Sequence, residues 1–343
     1  MYMNWLGKKG RWLSFLALAV ILLLSACNSG TSGSTKEKKS NADNFYSKGK
    51  PVTLVAPAAP GSGWDVTARA LAATFEKEKL IHFPIQVVNE AGATGAVSLS
   101  QLVTQHKGDA YKISVTSTPI MSNYLRGDSD YSYKDVTMIA RLMTEYYMVV
   151  VPADSPYKTL SDLLSAIKKN PGSVAVGASG DDRLPFALMV NAFGGDPRAI
   201  NFVAYEGGGE ISNALLNGDL DAAISGVSEF RGQIEAGTFR GLAITSDKRL
   251  GGVVKDVPTA KEAGVDVVYG NWRGLMGPPD MPKEAVTFWQ STIEKALKTP
   301  TWKDFAKKNQ WEITYMKGQE FDQYLKEAND AIKTGLEKTG EIK

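Results

Sequence analysis

Through the middle of the chain, short apolar runs alternate with glycine-rich turns and with stretches whose apolar residues recur at helical spacing. Residues 51–57 (PVTLVAP) are apolar at nearly every position, which predicts a buried strand. A turn, APGSG, follows. Asp65 then reads as the cap of a helix to about Lys79, with Leu71 and Phe75 four residues apart on one face. Residues 85–89 predict a second strand, and the turn EAGATG opens a helix whose Ala96, Leu99, Leu102 and Val103 share a face. Residues 111–116 predict a third strand. This strand–helix rhythm implies a parallel sheet with right-handed crossovers.

A long apolar stretch, 138–151, separates that unit from a second with the same rhythm. Thr159 caps a helix to about Lys169, with Asp162 as its N3 acid. Strands are expected at 174–176, 200–205, 221–225 and 242–245. Helices are expected at 184–193 and between the GGGE turn and Gly218. Beyond Gly270 the pattern changes to long amphipathic helices, 283–298 and 319–338. The expected organisation is a first lobe of residues 51–150 and 269–343, interrupted by a second lobe, 151–268. Chain crossings near 140–152 and 266–276 would form a hinge.

The N-terminus has a different pattern. Lys8, Lys9 and Arg11 precede the apolar run 12–24 (WLSFLALAVILLL), which is shorter than the roughly 20 residues a spanning helix needs. It ends in Leu24-Ser25-Ala26-Cys27, which resembles the bacterial lipobox, in which the cysteine is acylated and becomes the first residue. Residues 28–50 are rich in Ser, Gly, Lys and Asn and read as a flexible spacer. The expectation is a signal peptide over 1–26, a tether over 27–50, and a protein held at the cell membrane by lipid on Cys27, facing outside the cytoplasm.

Composition narrows the class. Of 343 residues, 43% are hydrophobic and 22% charged, which excludes a disordered chain and a multispan membrane protein. One cysteine excludes a disulfide framework, and two histidines argue against a histidine-rich metal site; no metal and no cofactor are expected. The net charge of +2 is uneven: residues 1–50 hold eight basic and two acidic residues, so the body carries 31 basic and 35 acidic ones, a net of −4. Such a body has no basic footprint for nucleic acid.

Three glycine-rich turns follow predicted strands: Pro60-Gly61-Ser62-Gly63, Gly92-Ala93-Thr94-Gly95 and Gly177-Ala178-Ser179-Gly180. Each presents backbone N–H groups at a helix N-terminus, an arrangement that holds a carboxylate or phosphate. Ligands of doubly wound sheets bind beyond the carboxyl ends of the strands. Catalytic motifs are missing: Ser62 lacks the G-x-S-x-G frame, and there is no HExxH, EF-hand loop or P-loop. The chain is expected not to be an enzyme.

The segments APAAPGSGWDVTARAL (56–71), VVNEAGATGAVSLSQL (87–102), VGASGD (176–181), FVAYEGGGE (202–210), NGDLDAAISG (217–226), LAITSDKR (242–249), VPTAKEAG (257–264) and NWRGLMGPP (271–279) resemble, in order, the solute-binding proteins of tripartite tricarboxylate transporters, the Bug family. The resemblance covers nearly the whole body. It implies an α/β, two-lobed fold of the type II periplasmic-binding-protein kind. It also implies a monomer that closes on a small carboxylate and hands it to membrane permease subunits.

By the same resemblance, a first-lobe turn of Ala59, Pro60, Gly61, Ser62, Gly63, Trp64 and Asp65 grips one carboxylate, together with Ala93, Thr94 and Gly95 and with Ser117 and Thr118. Ser179, Gly180, Asp181 and Arg183, with Tyr205 and Gly207, hold the distal end, and Arg273 lies near the interlobe return. Some of these residues have a competing reading. Asp65 suits a helix cap and Trp64 suits core packing. Arg183, a cation where the helix dipole disfavours one, pairs with ligand or with Asp181 or Asp182. Arg273 reaches the cleft or makes an interlobe ion pair. The sequence departs from the family at Ser62, which interrupts a triple glycine, and at Glu90 and Glu206, where the family often carries cations. Those acids suit a ligand with fewer negative charges or an amino group. A ligand-presenting partner of a membrane sensor kinase would use the same cleft, and the sequence leaves that alternative open.

Overall fold

The computed structural model describes residues 45–47 and 49–343. The expected signal peptide, Cys27 and the tether as far as residue 44 lie outside the described residues.

In chain order, β1 (Val52–Ala56), α1 (Gly63–Lys77), β2 (Ile85–Asn89), α2 (Ala96–Gln105), β3 (Lys112–Ser117) and α3 (Pro119–Arg126) form the first unit. β4 (Thr137–Pro152) leads into α4 (Leu160–Lys169), β5 (Ala175–Ser179), α5 (Arg183–Ala192), β6 (Asn201–Tyr205), α6 (Gly208–Asn217), β7 (Ala222–Gly226), α7 (Val227–Glu235) and β8 (Phe239–Ile244). β9 (Gly270–Gly277) returns the chain to α8 (Lys283–Lys298), α9 (Pro300–Asn309), β10 (Glu312–Lys317) and α10 (Gly318–Thr339).

The sheet order is β2-β1-β3-β9-β4-β7-β5-β6, with β8 and β10 also pairing β4. Pairing is parallel within β2-β1-β3 and within β7-β5-β6. It is antiparallel where β9 meets β3 and β4, and where β4 meets β7, β8 and β10. The parallel sheet expected from the sequence therefore holds only in the two outer thirds. The centre is antiparallel because the chain leaves the first unit along β4 and returns beside it along β9. The apolar stretch 138–151 is one strand whose first part pairs β9 (Thr137↔Gly277 to Tyr146↔Gly270) and whose second part pairs β7 (Tyr147↔Gly226).

Apolar packing follows this division. One core draws Leu54, Leu71, Phe75, Ile113 and Leu142 together with Trp289 and Trp302 of α8 and α9. Two others, on the faces of the second half-sheet, draw their buried residues from between Tyr147 and Val265. A fourth joins Leu99, Leu102 and Met121 to Leu184, Trp272, Phe321 and Leu336, so α10 packs across α3 and α5. Of the C-terminal helices, α8 and α9 pack in the first core, while α10 bridges from α3 to α5. The reason is α10's stripe of Phe321, Leu325, Ile332 and Leu336, which is covered only when both neighbours are present.

Two local readings need correction. The tether does not extend to residue 50: Tyr46 is 2% exposed in the first core, donating to the Ala110 carbonyl at 2.8 Å and accepting from Trp289 Nε1 at 2.6 Å. Asp65 does not cap α1. Ser62 is the N-cap, its hydroxyl accepting from the Asp65 N–H at 3.3 Å, and Asp65 is the N3 acid whose carboxylate accepts from the Gly61 N–H at 2.9 Å. The α4 cap is as read: Thr159 and Asp162 form a reciprocal capping box.

Candidate functional site

Residues just past the carboxyl ends of β1, β3, β5 and β6 meet around a cavity of about 50 Å³. One wall is Pro57, Ala58, Ser62, Gly63, Trp64 and Thr94, with Ser117 and Pro119 beside them. The opposite wall is Ser179, Asp181, Asp182, Glu206, Gly207 and Glu229, and β9 contributes Asn271 and Arg273. An outer groove of about 590 Å³ shares Thr94 and Glu206 with the cavity and is bordered by Ala93, Arg126, Gly180, Arg183 and Tyr205. A larger hollow, about 830 Å³, lies between residues 246–253 and 304–312 and is lined by none of the three glycine-rich turns read from the sequence.

Local sequence sets this geometry. Gly63 opens α1 without a side chain because a Cβ there would lie 2.2 Å from Arg273 Nη2. The 92–95 turn runs through left-handed backbone at Ala93 (φ 46°), Thr94 (φ 50°) and Gly95 (φ 84°), which turns the Thr94 side chain into the cavity. Across from it, Gly180 comes so near that a Cβ would lie 2.3 Å from Thr94 Cγ2, so the two walls touch at their rim. Trp64 satisfies both of its readings: it lines the cavity, packs in the first core, and donates from Nε1 to Ser117 Oγ at 2.9 Å.

The charges sort into pairs, with two acids left over. Arg273, with a side chain 7% exposed, donates from Nη2 to Glu145 at 2.7 Å, and Glu145 also accepts from the Ser228 N–H. Burial works against this guanidinium, but Glu145 outweighs it and its pKa is raised. Arg126 donates to Asp181 at 2.7 Å and to Glu341 at 2.8 Å. Asp182 and Glu229 have no arginine of their own. Ser225 Oγ lies 2.8 Å from Asp182 Oδ2 and 2.6 Å from Glu229 Oε2, and Glu229 Oε1 accepts from the Gly63 N–H. Burial, then repulsion from Glu229, raises the Asp182 carboxyl well above its ordinary value; burial and Glu145 raise that of Glu229.

Of the candidates read from sequence, Ser62, Gly63, Trp64, Thr94, Ser117, Ser179, Asp181, Gly207 and Arg273 surround the cavity. Ala93, Gly180, Arg183 and Tyr205 border the groove instead. Ala59, Pro60, Gly61, Asp65, Gly95 and Thr118 line neither. Asp65 is bonded to Arg69 and Asn89, and Thr118 to Asn271 at 3.2 Å. Arg183 pairs with neither Asp181 nor Asp182: its partner is Glu341, at 3.3 Å, and its side chain is 42% exposed. Sequence reasoning missed Asp182, Asn271 and Glu229 as wall residues. Asp182 and Asn271 adjoin the GASGD and NWRG segments that carried the resemblance. Glu229 had no such signal, since only the placement of α7 brings it there.

The family described as the tripartite tricarboxylate transporter family receptor matches residues 67–340. This chain belongs to that family. A UPF0065 protein from the gbd 5′ region of Cupriavidus necator is 27% identical to the receptor over 303 residues, covering 88% of this chain and 90% of its own. Among solved structures, a periplasmic transporter superposes with a TM-score of 0.78 at 25% identity, covering 87% of this chain and 99% of its own. Two Rhodopseudomonas palustris proteins share the fold at 22% identity: MatC with bound malate (TM-score 0.74; 83% and 98% covered) and a protein with adipate (TM-score 0.76; 84% and 97% covered). The receptor is therefore a two-lobed solute-binding protein of that family and not an enzyme. Among the described residues no helix is long and apolar enough to cross a membrane.

Proposed function

We propose that the receptor captures a small carboxylate between its lobes and delivers it to the membrane permease of a tripartite transporter. The observation that supports this most is the pair of helix N-termini, at Gly63 of α1 and Gly208 of α6, that approach one carboxylate, that of Glu229, from opposite lobes. Gly63 N–H donates to it, and a Cβ on Gly208 would lie 2.1 Å from it. The malate and adipate held by two relatives of the same fold support the ligand class. With lobes of residues 51–150 plus 269–343 and of 151–268, the strands β4 and β9 are the hinge, and ligand favours the closed form by touching both lobes. The closed lobes present a joint surface to the permease, which supplies direction.

A thermal-shift screen of C4–C6 carboxylates tests this. Ligand at 100-fold excess over Kd adds about 2.7 kcal/mol to the folded state, a melting rise of several degrees. A screen in which carboxylates give no shift while a neutral sugar gives a large one overturns the reading. We infer in addition that Cys27 is acylated, two acyl chains giving a stable anchor where one is marginal. Cys27→Ala is expected to yield protein lacking the lipid and its processing; a lipid-free mature N-terminus downstream of Cys27 overturns this.

A further inference from the structure

Leaving aside the exposed Asp128, Glu206 and Glu210 and the half-exposed Arg183, the charges at the cleft are four carboxylates and two guanidinium groups, and their pairing is lopsided. Asp181 has Arg126 and Ser122; Glu145 has Arg273 and Ser228. Asp182 and Glu229 share the single hydroxyl of Ser225, which sits within hydrogen-bonding distance of an oxygen from each. A hydroxyl has one proton to donate, so the two contacts together need a second donor, either a proton held by one of the carboxyls or a cation bound between them. Among the described residues the other donor to this pair is the Gly63 N–H, which belongs to the turn that the resemblance gives to a ligand carboxylate. The protein's own Glu229 therefore already stands in the first-lobe anion position. An unmet donor points the other way. Arg126 borders the adjoining groove with its side chain 7% exposed, and its Nη2 is buried without a hydrogen-bond partner. Cavity and groove meet at Thr94 and Glu206. A buried acid pair short of a donor thus lies next to a buried guanidinium short of an acceptor.

We propose that the ligand is a zwitterion, an amino-carboxylate whose ammonium group lies inward between Asp182 and Glu229 and whose carboxylate lies outward against Arg126. This rests on the carboxylate reading above and refines it. The ammonium supplies three donors to oxygens that now share one hydroxyl, and its charge offsets the two acids that lack an arginine. The carboxylate completes Arg126 without displacing Glu229 from α1. An organic ammonium is favoured over a metal ion because, among the described residues, no group of three or more side chains is placed to hold one.

The test is calorimetric titration of the purified protein with matched pairs that differ only in the amino group: propionate and β-alanine, butyrate and γ-aminobutyrate, succinate and aspartate, glutarate and glutamate. Putrescine and calcium chloride serve as cation-only probes. At least one amino member is expected to bind about ten-fold or more tighter than its twin, the scale of a charge-assisted hydrogen bond. Asp182→Asn is expected to erase that preference, bringing the affinities of the amino member and its twin together, and Glu229→Gln to do the same. Should Glu229→Gln fail to fold, Asp182→Asn decides alone, since it removes a charge that the fold does not pair. If the unaminated twins bind as tightly as their partners, the zwitterion is overturned and the carboxylate reading stands. Putrescine binding tighter than every carboxylate overturns the carboxylate reading and keeps the acid pair as a cation site. Tight calcium binding overturns the organic ammonium, and no binding by any probe overturns both.

Discussion

At Gly63 a missing side chain lets two lobes meet. A methyl group there would lie 2.2 Å from Arg273 Nη2 and 3.2 Å from Glu229 Oε1. Gly63→Ala is therefore expected to push Arg273 off Glu145 and to cost about 1–3 kcal/mol in urea unfolding, the range for overpacking. Unchanged stability would mean that Arg273 is free to step aside. The acids beside it set a pH dependence. Asp182 and Glu229 bind a proton more readily folded than unfolded, so their contribution to stability is whole at low pH. It is lost as pH rises from the ordinary carboxylate range, about 4, through their raised values. Facing them are Asp181, Glu145, Arg273 and the Tyr147 hydroxyl. Asp65 acts in the opposite sense. Burial is outweighed there by donation from Arg69, Gly61 and Asn89, its carboxyl is lowered, and its contribution is lost as pH falls. Asp182→Asn is expected to exceed the wild type in stability at neutral pH, with the gap closing toward pH about 4. Unfolding curves at a series of pH values check this, and a gap that widens in acid would contradict it.

At the scale of elements, period and capping were legible where one face of an element is buried by its own unit. Leu160, Leu163, Leu164 and Ile167 mark α4, and Ala96, Leu99 and Leu102 mark α2. α3 escaped notice because its eight residues (PIMSNYLR) are too few to show a period. β10 escaped because its burial is partial and its partner, the first part of β4, is about 170 residues away in sequence. The segment before β1 was misjudged for the same reason: Tyr46 belongs to a polar stretch, and its ring packs against Phe83, Tyr111, Phe288 and Trp289, which arrive from distant parts of the chain. Tyr46→Ala is expected to cost about 3–5 kcal/mol, as for other buried aromatics, with ligand affinity unchanged. A substitution effect below about 1 kcal/mol would return Tyr46 to the tether.

At the scale of the whole molecule, the receptor is two α/β halves joined by strands that cross between them in opposite directions. The 92–95 and 179–182 turns meet at Thr94 and Gly180, and the hinge proposed at β4 and β9 would move them toward or away from each other. Gly180 has a φ of 43°, which an alanine tolerates at a cost of about 1–2 kcal/mol, but its methyl group would strike Thr94. Gly180→Ala is expected to prop the cleft open, with a larger radius of gyration in X-ray scattering and weaker ligand binding, while the two half-cores stay folded. A variant that scatters and binds like the wild type would place the closing contact elsewhere.

What the sequence alone determined is whatever depends on neighbours within a few dozen residues: strand–turn–helix units, the capping box of α4, glycine turns at strand ends, and through them the family and its cleft. Arg273, nominated from sequence, does border that cleft, yet its partner Glu145 lies 128 residues away on another strand. Glu229 is 166 residues from the Gly63 N–H it occupies, and Arg126 is 55 from Asp181 and 215 from Glu341. Only the tertiary structure could decide which acids have an arginine, because a side chain's charge is written in the sequence but its counter-ion is set by which elements pack together. Burial then turns those pairings into energy, since a carboxylate left without a partner costs little in water and much inside a closed cleft.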